Sequence, residues 1–356
     1  MNVSELYALT FWIDEEVVKT QIPQKYQALQ KILQQNAQPN QQQQPFESQK
    51  TDLIEIIKNV PLSQLTKEQL LFLRELGIAQ ATGEEGVNTI EDILYKNVID
   101  IATSAQKIQE IHQTMAQGIQ KSNQIKTGLD GCVSQEEYEL ENEVMIRVSF
   151  TGNAAMANVT DFKNWGNIWH EIGRGIAMAH DATPEDVRVV GATKGSVIIE
   201  LAAIPAIATT TSVILFSALK LAEKVLDIRK KAEEIKNLKL QNKKLANDIE
   251  KEAENEKRIG IDKISDVLIK ELGIKKEGEG DKVNALDKAV KNLVNFSESG
   301  GEVDFIIPKE SEGEEEEGEN DNLPPEYDKL RNTIQDIRLL ETKLKLLGSE
   351  TDQENE

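Results

Sequence analysis

Hydrophobic positions along this chain recur mostly at helical spacing. Leu6, Phe11, Val17 and Val18, then Tyr26, Leu29, Ile32 and Leu33, predict helices over 1–33, with a break or restart at Pro23. Residues 34–50 (QQNAQPNQQQQPFESQK) contain almost no aliphatic side chain to offset ordering entropy, so they read as a Gln/Asn-rich linker. Helical spacing resumes at Asp52, within a helical region over 51–130. There Thr66-Lys67-Glu68-Gln69 has the capping-box spacing, Leu70, Leu71, Leu73 and Leu76 follow it, and Gly77 ends the helix. From Ile90, the residues Ile93, Leu94, Val98, Ile101, Ala105, Ile108, Ile111, Met115, Ile119 and Ile125 predict one long amphipathic helix with a narrow apolar stripe. A stripe so narrow calls for one partner helix, which makes Ile108, Ile111 and Met115 candidate interaction residues.

The period then changes to two. Ile146, Val148 and Phe150 alternate with Arg147 and Ser149, which predicts a strand over 143–150. Phe162, Trp165, Ile168, Trp169, Ile172 and Ile176 share one face of a helix that Pro184 follows. Val187–Val190 and Ser196–Ala202 read as two strands joined by the turn Gly191–Gly195. Residues 143–203 therefore spell β-α-β-β. A helix over 281–296 and a strand over 301–307, stopped by Pro308, extend the order to β-α-β-β-α-β. The expected class is α+β, predominantly helical, with a small ferredoxin-like sheet domain and long coiled-coil-like helical segments. Over 143–203 the chain is similar to small ferredoxin-like adaptor domains, a resemblance that implies no particular function.

Residues 204–258 read as one long helix, apolar first and charged later. Leu221, Val225, Ile228, Ala232, Ile235 and Leu238 approximate a heptad seam, and Asn242 falls on its continuation. Leu221, Val225, Ile228, Ile235 and Leu238 join the candidate interaction residues. Residues 259–308 hold further helices and the returning strand. An acidic segment, 309–323, is expected to be disordered, a terminal helix spans 324–348, and 349–356 form a polar, disordered tail.

Charge sharpens this picture. The 356 residues include 62 acidic and 41 basic side chains, a net charge of −21, which argues against general nucleic-acid binding. The acidity is uneven, since eight of the twelve residues 310–321 are acidic while 220–244 carry nine basic residues against four acidic. That basic flank follows an uncharged run, 201–219, of nearly the length that crosses a bilayer. Pro205, the Thr209–Ser212 block and the overlap with a strand favour burial in the protein instead. Cys132 is the only cysteine, and Met1–Glu5 lack the basic start of a secretory signal, so a cytoplasmic protein is expected, with membrane association as the alternative.

Candidate chemistry is sparse. His170-Glu171 begins as a zinc-protease helix does, and His180 lies ten positions on, but Arg174 occupies the slot of the middle ligand and repels a cation. In Gly191-Ala192-Thr193-Lys194-Gly195-Ser196 the lysine precedes the last glycine and a strand follows, the reverse of a phosphate loop. Cys132 follows Gly131 in a polar loop, with His112 twenty residues upstream as the nearest histidine in sequence, and no nucleophile–base pair is read from that spacing. No catalytic, cofactor-binding or metal-binding residue is assigned, and no cofactor is expected. Trp165 and Trp169 either pack their helix on the sheet or anchor an interface. The expectation is a non-enzymatic intracellular interaction or scaffold protein that self-associates or binds protein partners through long amphipathic helices. The alternatives are a membrane-acting protein using 201–219 with its basic flank 220–244, and an enzyme of unrecognised type.

Overall fold

The computed structural model describes all residues except 40–41, 97–99, 134–142, 194–196, 238–242, 309–324 and 354–356. The chain forms two compact units, Met1–Glu139 and Leu140–Glu356. Among the described residues there are eleven α-helices and one four-stranded antiparallel sheet, a predominantly helical α+β protein.

The first unit is helical. Helix α1 (Val3–Ile13) starts at a capping box, where Asn2 Oδ1 accepts from the Glu5 amide and the Glu5 carboxylate accepts from the Asn2 amide, both at 2.7 Å. Pro23 lies in the first turn of α2 (Ile22–Asn36), where its missing N–H costs nothing, so it starts a helix rather than breaking one. The Gln-rich stretch that follows is clamped by Asn36, whose side chain donates to the Gln44 carbonyl and accepts from its amide, each at 2.8 Å. Next come α3 (Glu47–Lys58), α4 (Lys67–Glu75) behind its Thr66 capping box, and α5 (Gly83–Glu91) with a π-helical turn over Asp92–Lys96.

The apolar stripe expected on one helix from Ile90 to Ile125 is carried by two. A new helix, α6 (Ile101–Leu129), begins where the Asp100 carboxylate accepts from the Thr103 amide at 2.6 Å. The stripe finds its partner inside the unit, because α6 packs along α2 and Ile108 and Met115 are fully buried with Tyr26, Leu29 and Leu33. Gly118 permits a close approach, since a Cβ there would lie 2.0 Å from the Leu76 carbonyl oxygen.

The second unit is built on strands β1 (Val144–Phe150), β2 (Arg188–Thr193), β3 (Val197–Ala203) and β4 (Glu302–Ile306) in the order β2-β3-β1-β4. Every neighbouring pair is antiparallel. The returning strand therefore joins the sheet beside β1, with Val148 opposite Val303 and Ile146 opposite Phe305. Alternation puts Val144, Ile146, Val148, Phe150, Val303 and Phe305 in the main core with α7 (Val159–Ala179) and α10 (Gly280–Glu298). These helices cross tightly at Gly175, where a Cβ would lie 2.2 Å from the Ala285 carbonyl oxygen.

The segment expected as one helix over 204–258 contains α8 (Pro205–Asn237) and the first part of α9 (Lys243–Glu271). Folding back buries an apolar stripe that one continuous helix leaves in water. The last helix, α11 (Pro325–Gln353), extends beyond the expected end at 348 and packs along α8. The acidic segment 309–323 lies, with residue 324, outside the described residues, as does the end of the tail.

Candidate functional site

Helix α8 passes from apolar to charged, and its surroundings follow that change. Its first half is core: Ile207, Ala208, Ile214, Leu215, Ala218 and Leu219 are buried. The polar block inside this half is also buried, and its hydroxyls are hydrogen-bonded except that of Thr209, whose Oγ1 is buried without a partner. Thr211 donates to the Ile207 carbonyl at 2.8 Å, Ser212 to the Thr209 carbonyl at 2.7 Å, and Thr210 Oγ1 lies 2.8 Å from His180 Nε2. The uncharged run 201–219 thus divides between β3 and a buried helix. Pro205–Lys231 is long and apolar enough to cross a membrane by length and composition, with a mean hydropathy of 1.4 in a window that is 61% buried.

Farther along, α8 pairs with α9. Leu221, Val225 and Ala253 are buried together, with Ile228, Ile261 and Ile264 half-buried around them. Gly260 makes room for Leu221, since a Cβ there would lie 2.4 Å from its Cδ1. Lys224 pairs with Glu256, and Arg229 reaches Glu250 at 3.2 Å and Glu254 at 3.0 Å. Partner numbers fall along α9 as they rise along α8, so the two helices form an antiparallel hairpin. Glu223, on the opposite side of α8 from Leu221 and Val225, pairs with Lys343 of α11 at 2.5 Å.

Beyond Val225 and Ala253 the character of the hairpin changes. None of residues 226–231 and 248–252 is buried. Arg229, Lys230 and Lys231 lie on the α8 side, and Asp248, Glu250, Glu252 and Glu254 on the α9 side. This charged arm is the main candidate surface of the second unit.

The residues singled out from sequence are thus scattered. Ile108 and Met115 belong to the core of the first unit, with Ile111 half-buried beside them. Leu221, Val225 and Ile228 form the hairpin seam, Ile235 lies in the last turn of α8, and Leu238 lies outside the described residues. Trp165 and Trp169 are half-buried, each with its ring 5.2 Å from Phe296 in near-perpendicular contact. They pack α7 against α10, while Val159 and Phe162 at the start of α7 are exposed.

The histidines of the zinc-like stretch do not meet. His170 is exposed, while His180 contacts Thr210. Arg174 and Lys288 both approach Glu171, at 3.6 and 3.1 Å, and the hydrogen bond from Lys288 holds the Glu171 carboxyl below the usual glutamate range. Among the described residues, no three His, Cys, Asp or Glu side chains gather as a metal site. Cys132 is exposed in the turn after α6, and 194–196 of the glycine-flanked turn lie outside the described residues.

One constellation escaped the sequence reading. Arg147, Glu200 and Asp304 occupy matching positions on β1, β3 and β4 and are 3%, 2% and 6% exposed. Arg147 Nη1 lies 3.1 Å from Glu200, and Arg338 of α11 donates to Asp304 through Nη2 at 2.9 Å. This alternating row of charges ties three strands to the last helix. Comparison with protein-family models, with curated proteins and with solved structures gives no match.

Proposed function

We propose that this is a non-enzymatic interaction protein whose contact element is the charged arm of the α8–α9 hairpin. The observation that carries this reading is an arm with no buried apolar side chain among residues 226–231 and 248–252. Exposed ion pairs within it, such as Arg229 with Glu250 and Glu254, contribute little to stability by themselves. Its surface is therefore available for contacts outside the chain. A basic edge beside an acidic one is complementary to its own two-fold copy, which favours self-association, and a protein helix with the same charge pattern is the second kind of partner. On this reading the sheet is a ferredoxin-like platform with the hairpin as its insertion, a plan supported by the strand order and by α7 and α10 on the apolar face. The protein works in the cytoplasm without a cofactor or general nucleic-acid contact.

Light scattering on the full chain tests this, alongside a variant with Arg229, Lys230 and Lys231 each replaced by glutamate. The full chain is expected to form an oligomer that the variant loses. A full chain that remains a monomer across a wide concentration range overturns self-association. A second reading, membrane contact through 201–219 and the basic flank 220–244, is supported by the length and hydropathy of α8. Flotation with anionic vesicles tests it, and a chain that stays wholly at the bottom of the gradient excludes it.

A further inference from the structure

The two edges of the sheet differ. At one edge β4 is covered, with Val303, Asp304, Phe305 and Ile306 all buried. At the other, β2 pairs with β3 alone, and burial declines stepwise toward it. Along one cross-strand row Ile146 is 2% exposed, Leu201 is half-buried and Val189 is 68% exposed. Along the next row Val148 is buried, Ile199 half-buried and Ala192 exposed. Both rows lie on the apolar face that packs with α7 and α10 at β1, so that face continues past its cover onto β2. From Val189 to Ala192 the strand has no charge and no proline, the side chains that ordinarily keep an edge from pairing. The one charged side chain of β2, Arg188, is paired with Glu143.

The strand is also complementary to itself. A bulge between Val189 and Gly191 inserts Val190, and so puts Val189 and Ala192, three positions apart, on the same face. Residues directly opposite each other in an antiparallel pair share a face. A two-fold axis between Val190 and Gly191 therefore sets Val189 beside Ala192 of a second copy, and Ala192 beside that copy's Val189. Gly191, next to the axis, has no side chain to obstruct Val190 of the other strand. We propose that β2 pairs in this register with β2 of a second copy of this chain, joining two four-stranded sheets into one. The contact covers Val189 and gives the open backbone groups of the edge their partners. It uses no residue of the hairpin arm, goes beyond the arm contact and stands without it.

Sedimentation equilibrium of the full chain carrying Arg229→Glu, Lys230→Glu and Lys231→Glu tests the pairing with the arm contact removed. A reversible dimer is expected to remain, smaller than the assembly of the unmodified chain. In that background Val189→Lys or Ala192→Glu should each weaken the dimer by about fivefold or more, because the two-fold axis repeats each lost cross-strand pair. An equimolar mixture of those two chains should dimerise more tightly than either alone, since the introduced charges then face each other with opposite sign. Both positions are exposed in the single chain, so neither substitution touches its core, and circular dichroism checks folding. Should one variant unfold, the dimer constant of the other decides. An arm-reversed chain that is monomeric throughout overturns the edge contact, and leaves the arm reading standing if the unmodified chain associates. A dimer that neither substitution weakens, or a mixture no tighter than its components, overturns the register and the proposal with it.

Discussion

Replacing Arg147 by methionine removes the central positive charge from the row that joins β3, β1 and β4. Arg147 and Glu200 are 3% and 2% exposed, and their polar atoms are 3.1 Å apart. Without the guanidinium, Glu200 loses a charged partner in a place that water does not reach. Asp304, on the other side of β1, retains Arg338 at 2.9 Å. Removing one member of a buried ion pair typically costs about 3–5 kcal/mol, because the remaining charge stays desolvated. Replacing both members by apolar residues, as in Arg147→Met with Glu200→Leu, removes that cost and should restore most of the lost stability.

Urea unfolding in a Trp12→Phe background measures this directly, since Trp165 and Trp169 then report on the second unit alone. With a slope of about 2 kcal/mol per molar urea, a loss of about 4 kcal/mol moves the midpoint down by about 2 M. The double variant should recover most of that shift. A single variant that loses less than about 1 kcal/mol refutes the view that this row depends on paired charge. A double variant as unstable as the single one refutes it equally.

Three further outcomes follow from local geometry. Gly175→Ala should destabilise the second unit by about 1–3 kcal/mol by forcing α7 away from Ala285, whereas Gly166→Ala, which meets nothing within 4 Å, should be neutral or stabilising; thermal melts compare the two. Thr66→Ala deletes the hydroxyl that accepts from the Gln69 amide at 3.2 Å, and should cost the first unit about 0.5–2 kcal/mol in chemical denaturation. Glu171 should titrate below the ordinary glutamate range and return toward it in Lys288→Ala, as followed by carboxyl NMR. Because its folded pKa is depressed, its contribution is present above the unfolded pKa and fades as pH falls through the folded value; an unchanged midpoint in the variant refutes the pairing.

Local chemistry made some features legible and left others hidden. The Thr66 capping box, the alternation at Ile146–Phe150 and the strand ending before Pro308 are encoded within a few residues, and each appears where expected. The break at Asp100 is harder to see, because the hydrophobic spacing continues across it from Leu94 to Ile101 and only the capping carboxylate marks a new helix. The hairpin was hidden for a different reason: a heptad seam specifies a face but not the chain that covers it. Here the covering face includes Ala253 and Gly260, small residues that periodicity alone discounts. Arg147, Glu200 and Asp304 each looked like an ordinary polar position in an alternating strand. Their complementarity emerges only once the register places them side by side.

The placement of the apolar stripes constrains how this protein can associate. Ile108 and Met115 are covered by their own unit, and Leu221 and Val225 by α9, so neither stripe is available to another molecule without opening a packed interface. Contacts made by the folded chain through the hairpin arm must therefore use charge. Charge contacts between exposed groups weaken beyond a Debye length of about 8 Å at physiological salt, whereas burial of an apolar seam is not screened in this way. Self-association through the arm should consequently fall as salt rises. Association that strengthens with salt would instead point to opening of the α8–α9 seam, because excluded salts favour apolar burial.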